Sequence, residues 1–447
     1  MLRKGDLTQG GITTTLLQFT LPMLAGSLLQ QCYNIADTLI VGQCIGSNAL
    51  AAVGSAYTLM VFLISILLGL SMGSGTVFSL QYGAGDLPAL RRSIYVSFLL
   101  IGTVTVLLNV AVFLWLDPIL RWLQVPYDVY PLMRNYLWII FWGIAFTFLY
   151  NFYAALLRAV GDSVTPLWFL AVSVVLNIGL DLFLILVLDQ GIEGAAVATV
   201  IAQGMAASGI LLYTYTTRPE LRLHRKDMRF DRSSLKEITS FSTLTCVQQS
   251  VMNFGILMVQ GLVNSFGTAV MAAFAAAVKI DSFAYMSVQE FGNAFSTFVA
   301  QNFGARKGDR IRRGVRSAFL ITIVFSLVIS LLVFFFAKPL MLIFVRPDEA
   351  EILRIGTEYL RIEGTFYLGI GILFLLYGYY RAIRMPGMSV VLTILSLGTR
   401  VVLSYWLASI PSIGVTGIWW SIPIGWFLAD LVGIAYYRYR RYAVSRT

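Results

Sequence analysis

Histidine is all but absent from this chain: His224 is the single one in 447 residues. A catalytic zinc held by a histidine cluster is thereby excluded. The three cysteines, Cys32, Cys44 and Cys246, have no paired spacing and read as small apolar side chains, not as a disulfide framework or a metal site. Charge is scarce as well, at 12% Asp, Glu, Lys and Arg against 58% hydrophobic residues. A soluble globule could not hide that much apolar surface. No Gly-x-x-x-x-Gly-Lys-Ser/Thr sequence occurs, so ATP hydrolysis through a P-loop is excluded. With no catalytic cluster and no cofactor motif, the chain does not read as an enzyme. Anything it moves uphill must draw on an ion gradient. A cleavable leader is not expected either, because Met1-Leu2-Arg3-Lys4 opens into an apolar run too long for a signal segment.

What is present is apolar sequence in runs that reach the ~20 residues a helix needs to cross a bilayer. The runs predict twelve spans, near 14–40, 49–80, 93–115, 132–157, 164–188, 193–216, 237–265, 269–300, 315–337, 356–380, 387–410 and 414–437. Alternation of apolar and polar residues over strand lengths is missing, which argues against a membrane barrel.

The chain also repeats itself. Gly83-Ala84 and Gly304-Ala305, Pro118 and Pro339, and Pro126 and Pro347 each lie 221 residues apart. Further on the offset becomes 223: Tyr136-Leu137 matches Tyr359-Leu360, and Arg158-Ala159 matches Arg381-Ala382. A register held over that distance marks a duplicated unit. Six spans return the chain to its starting side, so the halves are parallel repeats about an axis along the membrane normal. The expected fold is an all-α integral membrane protein of twelve transmembrane helices in two pseudo-symmetric six-helix bundles. Its parts are an N-terminal lobe over 1–216, a basic linker over 217–236 and a C-terminal lobe over 237–447. Such a plan suits a transporter that rocks between inward-open and outward-open forms.

The net charge of +10 could suggest nucleic acid, but its placement does not. Of the 32 Lys and Arg, 24 fall at the termini and the even-numbered junctions between spans, six at odd junctions or their flanks, and Lys279 and Arg400 inside spans. The positive-inside rule then places both termini and the 217–236 linker in the cytoplasm. The linker reads as a topology signal and solvated tether before it reads as a lipid-headgroup site. Tyr436, Tyr437, Tyr439 and Tyr442, with Arg438, Arg440 and Arg441, form an interfacial belt that ends the last span.

Carboxylates inside spans are the informative residues, because an Asp at mid-membrane costs roughly 2.5–3.5 kcal/mol and needs water or a partner. Asn177 and Asp181 are spaced i, i+4 and share a helix face. Tyr33 and Asp37 repeat that spacing in span one, where Gln31 and Asn34 add polar atoms. Pro22 lies inside the same span, removes a backbone hydrogen bond and invites a kink. For Tyr33 and Asp37 the plain alternative is a static kink with Asp37 hydrated near the outer interface; for Asn177 and Asp181 it is a polar contact that holds the bundle together. Against that alternative, the 223 offset carries Asn177 onto Arg400 and Asp181 onto Ser404, so the acid is not repeated in the second half. Asp281 or Glu290 is a candidate to attract a cationic substrate in the C-terminal lobe, with structural ion pairs or a place near an interface as the alternative. Arg400 requires a carboxylate or carbonyl partner, with Glu363 as the guess.

Tyr33-Asn34-Ile35-Ala36-Asp37, Tyr82-Gly83-Ala84-Gly85-Asp86, Leu157-Arg158-Ala159-Val160-Gly161-Asp162 and Gln301-Asn302-Phe303-Gly304-Ala305 occur in order, after Gly5-Asp6-Leu7-Thr8 and Pro22. In that order and spacing the chain resembles the multidrug and toxic compound extrusion (MATE) transporters, prokaryotic DinF-like branch, over essentially its whole length. The resemblance implies antiport: H⁺ or Na⁺ enters while organic, often cationic, compounds leave. It further implies a coupling cluster of Asp37, Tyr33, Asn177, Asp181 and Thr199, with Pro22 as the kinking proline. Gln31, Asn34, Asn151, Asp281, Glu290 and Glu363 are the substrate-cavity candidates. The NorM-like branch places a cation-binding glutamate on helix seven, yet no Asp or Glu occurs between Ile238 and Lys279. The expected partners are a small organic substrate and membrane lipids, with no nucleic acid and no cofactor beyond the coupling ion. The expected state is a monomer in the inner (plasma) membrane. The alternative within the same superfamily is a lipid-linked oligosaccharide flippase, whose cavity would be lined by cations where this chain offers acids.

Overall fold

The computed structural model describes residues 6–122, 125–225, 227–229 and 231–444; Gly5 and Lys226, and the side chains of Arg440, Arg441 and Tyr442, lie outside the described part. Among the described residues the chain is helical throughout, with no strand. The first half holds α1 (Ile12–Cys44), α2 (Ser47–Gly83), α3 (Leu87–Trp122), α4 (Tyr130–Trp142), α5 (Ile144–Ala159), α6 (Val164–Leu182) and α7 (Gly191–Thr217). The second holds α8 (Arg232–Asn264), α9 (Thr268–Gly304), α10 (Gly308–Met341), α11 (Ala350–Thr365), α12 (Tyr367–Ala382), α13 (Pro386–Ala408) and α14 (Val415–Val444). Ten helices are long and apolar enough to cross a bilayer singly, and the pairs α4–α5 and α11–α12 bring the number of spans to twelve.

Those two pairs depart from the expected unbroken spans four and ten. Each is bent, by 46° between α4 and α5 and by 50° between α11 and α12. At each break an amide reaches back three residues instead of four: Gly143 N to Ile140 O at 2.8 Å, and Phe366 N to Glu363 O at 3.0 Å. Gly143 and Phe366 are 223 residues apart, so both halves break at one place in the repeat. Hydropathy does not register a single-residue change of ladder, which is why the spans looked continuous in sequence.

Helix starts on the basic side are set by aspartates. Asp86 accepts the Ala89 amide, Asp162 the Thr165 amide and Asp231 the Ser234 amide, each at 3.0 Å. Each carboxylate satisfies an orphan N–H of the first turn. Arg218 donates to Asp162 at 2.8 Å and ties the end of α7 to the start of α6. The turns into α2 and α9 use Gly46 (φ 118°) and Gly267 (φ 98°), again 221 residues apart and in a region that side chains avoid.

Its described residues form two compact units, one of Leu21–Cys246 with Asp6 and one of Leu7–Thr20 with 247–444. Helices α1 and α8 therefore each contribute to both. In the first unit α2 packs on α5, and α7 on α5 and α6. Phe152 stands edge-on to Phe78 and Phe98, with ring centres 6.1 Å and 5.4 Å away. Gly69 and Gly73 let α2 lie against the first part of α8: a Cβ on Gly73 would fall 2.5 Å from Phe241 O. Ser74 and Ser242 hydroxyls bond across that seam at 2.9 Å. Small residues that let backbones approach are the expected glue where lipid offers no hydrophobic drive.

In the second unit α13 packs on α14 and α9 on α12. Phe274 stacks on the fully buried Trp419 at 5.5 Å, and Tyr359 meets that indole edge-on at 4.9 Å. The segment before α1 is fastened here through its backbone. Leu7 N donates to Gln301 Oε1 at 3.0 Å, Lys307 Nζ to Thr8 O at 2.8 Å, and Arg310 to the carbonyls of Leu7, Gln9 and Gly10.

Candidate functional site

Asp37 lies one turn after Tyr33 on α1, Asp181 one turn after Asn177 on α6, and Thr199 is on α7. The structure brings all five together. Asp37, Asn177, Asp181 and Thr199 are buried, and Asp181 is wholly inaccessible. The Thr199 hydroxyl donates to Ala195 O at 3.0 Å, so its lone pair is free to accept the Tyr33 hydroxyl at 3.3 Å. The Asn177 amide lies between Thr199 and Asp181. An ionised carboxylate only accepts, so the amide nitrogen belongs on the Asp181 side. In that orientation it donates to Asp181 Oδ2 at 2.9 Å while its oxygen accepts the Thr199 amide at 3.2 Å.

The carboxyl groups of Asp37 and Asp181 are within hydrogen-bonding reach of each other. Oδ1 of each is buried with no protein partner. Tyr136, buried on α4, lies close enough to feel the charges of Asp37, Tyr33 and Asp181. Pro22 lies in α1 just beyond Thr20, where the compact units divide, and the helix runs unbroken through it.

The remaining candidates are placed elsewhere or turned inward on their own helices. Asn34 Nδ2 donates to Gln31 Oε1 at 3.3 Å on α1. Asn151 donates to Thr147 O at 2.8 Å on α5, while the Thr147 hydroxyl reaches Gln203 at 2.9 Å. Glu290 is half-buried on α9, well along the helix from Asp281.

Asp281 and Glu363 belong to a second buried cluster, in the C-terminal unit. Both feel Arg400 of α13, with Tyr367 beside Asp281 and Tyr359 beside Glu363. Arg400 is near enough to act on both carboxylates through its charge, but it forms an ion pair within 4.0 Å with neither, and its Nε is buried without a hydrogen-bond partner. Lys279 turns away from Asp281 and lies over the Phe344 ring at 6.0 Å. Ser404, the counterpart of Asp181, bonds Ser421 at 2.6 Å. The clusters differ in built-in compensation: among the described residues no base stands beside the two acids of the first, while a guanidinium acts on the two acids of the second.

Tyr136, Tyr359 and Tyr367 were not singled out as site residues by sequence reasoning. A signal existed, since Tyr136 and Tyr359 are repeat partners and each stands beside its lobe's acids.

Comparison with known proteins gives a consistent answer. The MatE family profile matches residues 22–183 and 245–406, one copy per half. The probable multidrug resistance protein YpnP of Bacillus subtilis is 31% identical over 99% of this chain and 98% of its own length. The probable multidrug resistance protein YoeA of the same organism is 27% identical over 94% of this chain and 92% of its own. Among solved structures, a MOP superfamily transporter from Pyrococcus furiosus superposes with a TM-score of 0.93 at 22% identity, covering all of both chains. With twelve spans in two related halves, this chain is a multi-pass membrane protein of the MATE family of multidrug efflux transporters.

Proposed function

We propose that this chain exports organic cations in antiport with protons, through alternating access, with Asp37 and Asp181 as the shared coupling site. The observation that carries the reading is the approach of two buried carboxyl groups with no cation beside them. Two ionised carboxylates cannot hydrogen-bond to each other, whereas a carboxylic acid and a carboxylate can. The pair therefore favours one proton held between its members, and titrates as a unit. The Asn177 amide steadies Asp181, and the Tyr33–Thr199 bond ties α1 to α7 near the acids.

In the cycle we propose, a proton entering from outside removes the repulsion within the pair and lets α1 bend at Pro22. That bend shrinks the N-lobe cavity and expels the substrate. Proton and substrate must favour opposite charge states of the pair, since coupling requires a differential affinity. One proton exchanged for one monovalent cation moves no net charge, so each pH unit sustains about a tenfold gradient, or ~1.4 kcal/mol. The concentration of basic residues at even junctions supports a plasma-membrane orientation with both termini in the cytoplasm. The protein acts as a monomer in this reading.

The test is efflux of a fluorescent cationic dye in everted vesicles, driven separately by a pH and a sodium gradient, for wild type and Asp181→Asn. A pH-driven signal that Asp181→Asn abolishes at normal expression supports the proposal. A signal driven only by sodium would replace the ion, and an active Asp181→Asn would move the coupling site to Asp281 and Glu363.

A further inference from the structure

A groove of about 680 Å³ opens between the end of α10 and the start of α11, wholly within the C-terminal unit. Lys338, Arg354 and Arg361 line it, against a single carboxylate, Glu358. That carboxylate is already engaged: Arg354 lies 3.8 Å away and the Thr416 hydroxyl donates to it at 2.7 Å. Lys338 and Arg361 have no carboxylate partner among the described residues, and the buried Thr357 hydroxyl has no partner either. Arg361 rests over the Phe334 ring at 5.7 Å.

The other half shows what this position holds when it is self-sufficient. The repeat carries Lys338 back onto Asp117, each immediately before a proline, and Thr357 back onto Arg134. In the first lobe Arg134 donates to Asp117 at 2.7 Å and the Tyr130 hydroxyl donates to the same oxygen at 2.7 Å. The acid of that pair has become a base in the second lobe, and its arginine a threonine. The groove thus stands where the first lobe holds an ion pair, and three bases line it against the one carboxylate of Glu358.

The charge is also out of place for topology alone. Of the six basic residues at odd junctions and their flanks, three line this one groove. Beside it, Phe335, Phe336 and Ile343 are 68%, 54% and 70% exposed, a surface suited to acyl chains.

The geometry points to a binding site for the phosphate of an anionic phospholipid, held by Lys338, Arg361 and Arg354, with the acyl chains along the exposed face of α10. The phosphodiester supplies the charge that Asp117 supplies in the first lobe. Its oxygens suit the forked donors of the two arginines and the point charge of the lysine. The Thr357 hydroxyl is a further donor.

The full chain, purified in mild detergent, is tested by its melting temperature with phosphatidylglycerol, with phosphatidylcholine or with inorganic phosphate. The deciding variant is Lys338→Asp/Thr357→Arg, which restores the first lobe's ion pair and fills the groove from within. Phosphatidylglycerol is expected to raise the wild-type Tm by about 3 °C more than phosphatidylcholine does, and the difference to vanish in the double variant. Equal responses of the wild type to both lipids, or a preference retained in the double variant, overturn the assignment. A wild-type shift reproduced by inorganic phosphate alone overturns the lipid as occupant in favour of a soluble anion. Lys338→Gln/Arg361→Gln, which changes two exposed side chains, carries the same comparison should the charge-swapped protein fail to fold.

Discussion

Asp37 on α1 and Asp181 on α6 meet carboxyl to carboxyl, far apart in sequence and within hydrogen-bonding reach in the fold. Their contact has a consequence for mutational series. If one proton is shared, Asp37→Asn, Asp181→Asn and the double variant should each lower gradient-driven efflux by about a hundredfold, and the double should be no worse than either single. Initial rates in everted vesicles decide it; losses that multiply would mean two independent sites.

Thr199 joins two helices through one oxygen and one amide. Thr199→Val leaves the Tyr33 hydroxyl without its acceptor in a part-buried setting, a loss of about 1–3 kcal/mol. Efflux should fall several-fold and its pH profile should move, while Thr199→Ser restores both. A Val variant with an unaltered profile would confine Thr199 to packing.

Removal of the guanidinium from the second cluster should unfold, not uncouple. Arg400→Met leaves Asp281 and Glu363 as neighbouring buried acids without the positive charge that acts on both, so the Tm in detergent should drop. Adding Glu363→Gln to Arg400→Met should recover part of the loss. Failure to recover would show that Arg400 acts through other groups.

Outside the spans, the Ser234 hydroxyl and the amides of Ser234 and Ser233 hold the Asp231 carboxyl below the usual carboxylate range. A carboxyl lowered in the folded state stabilises above its unfolded pKa, and that contribution fades as pH falls through the folded value. Asp231→Ala should therefore melt below wild type at neutral pH, with the gap narrowing once the pH falls below the ordinary Asp value of about 3.9. A gap that stays constant over that range would show that the cap works without its charge.

Much of the fold could be read from sequence because duplication and apolar length are one-dimensional signals. Pro118 with Pro339 and Tyr136 with Tyr359 carry the register without reference to space. The breaks at Gly143 and Phe366 were not legible, since one shifted amide leaves hydropathy unchanged. Within the candidate site, i, i+4 spacing pairs Tyr33 with Asp37 and Asn177 with Asp181, but it cannot say that the two pairs face each other. Nor does spacing show that Lys338 and Thr357 stand where the first lobe keeps an ion pair. That contrast needs the 2.7 Å bond between Arg134 and Asp117 before the substitution acquires meaning.

The fastening of Leu7–Gly10 to Gln301, Lys307 and Arg310 sets an order on biosynthesis. The Leu7–Gly10 stretch has its hydrogen-bond partners among residues made some 300 positions later. At about 5–20 residues per second, those partners arrive roughly 15–60 s after Leu7 itself. During that interval the rest of the first lobe can assemble in the membrane while the N-terminal strap stays undocked. Leu7–Gly10 thus reach their final place well after the residues that directly follow them have been made.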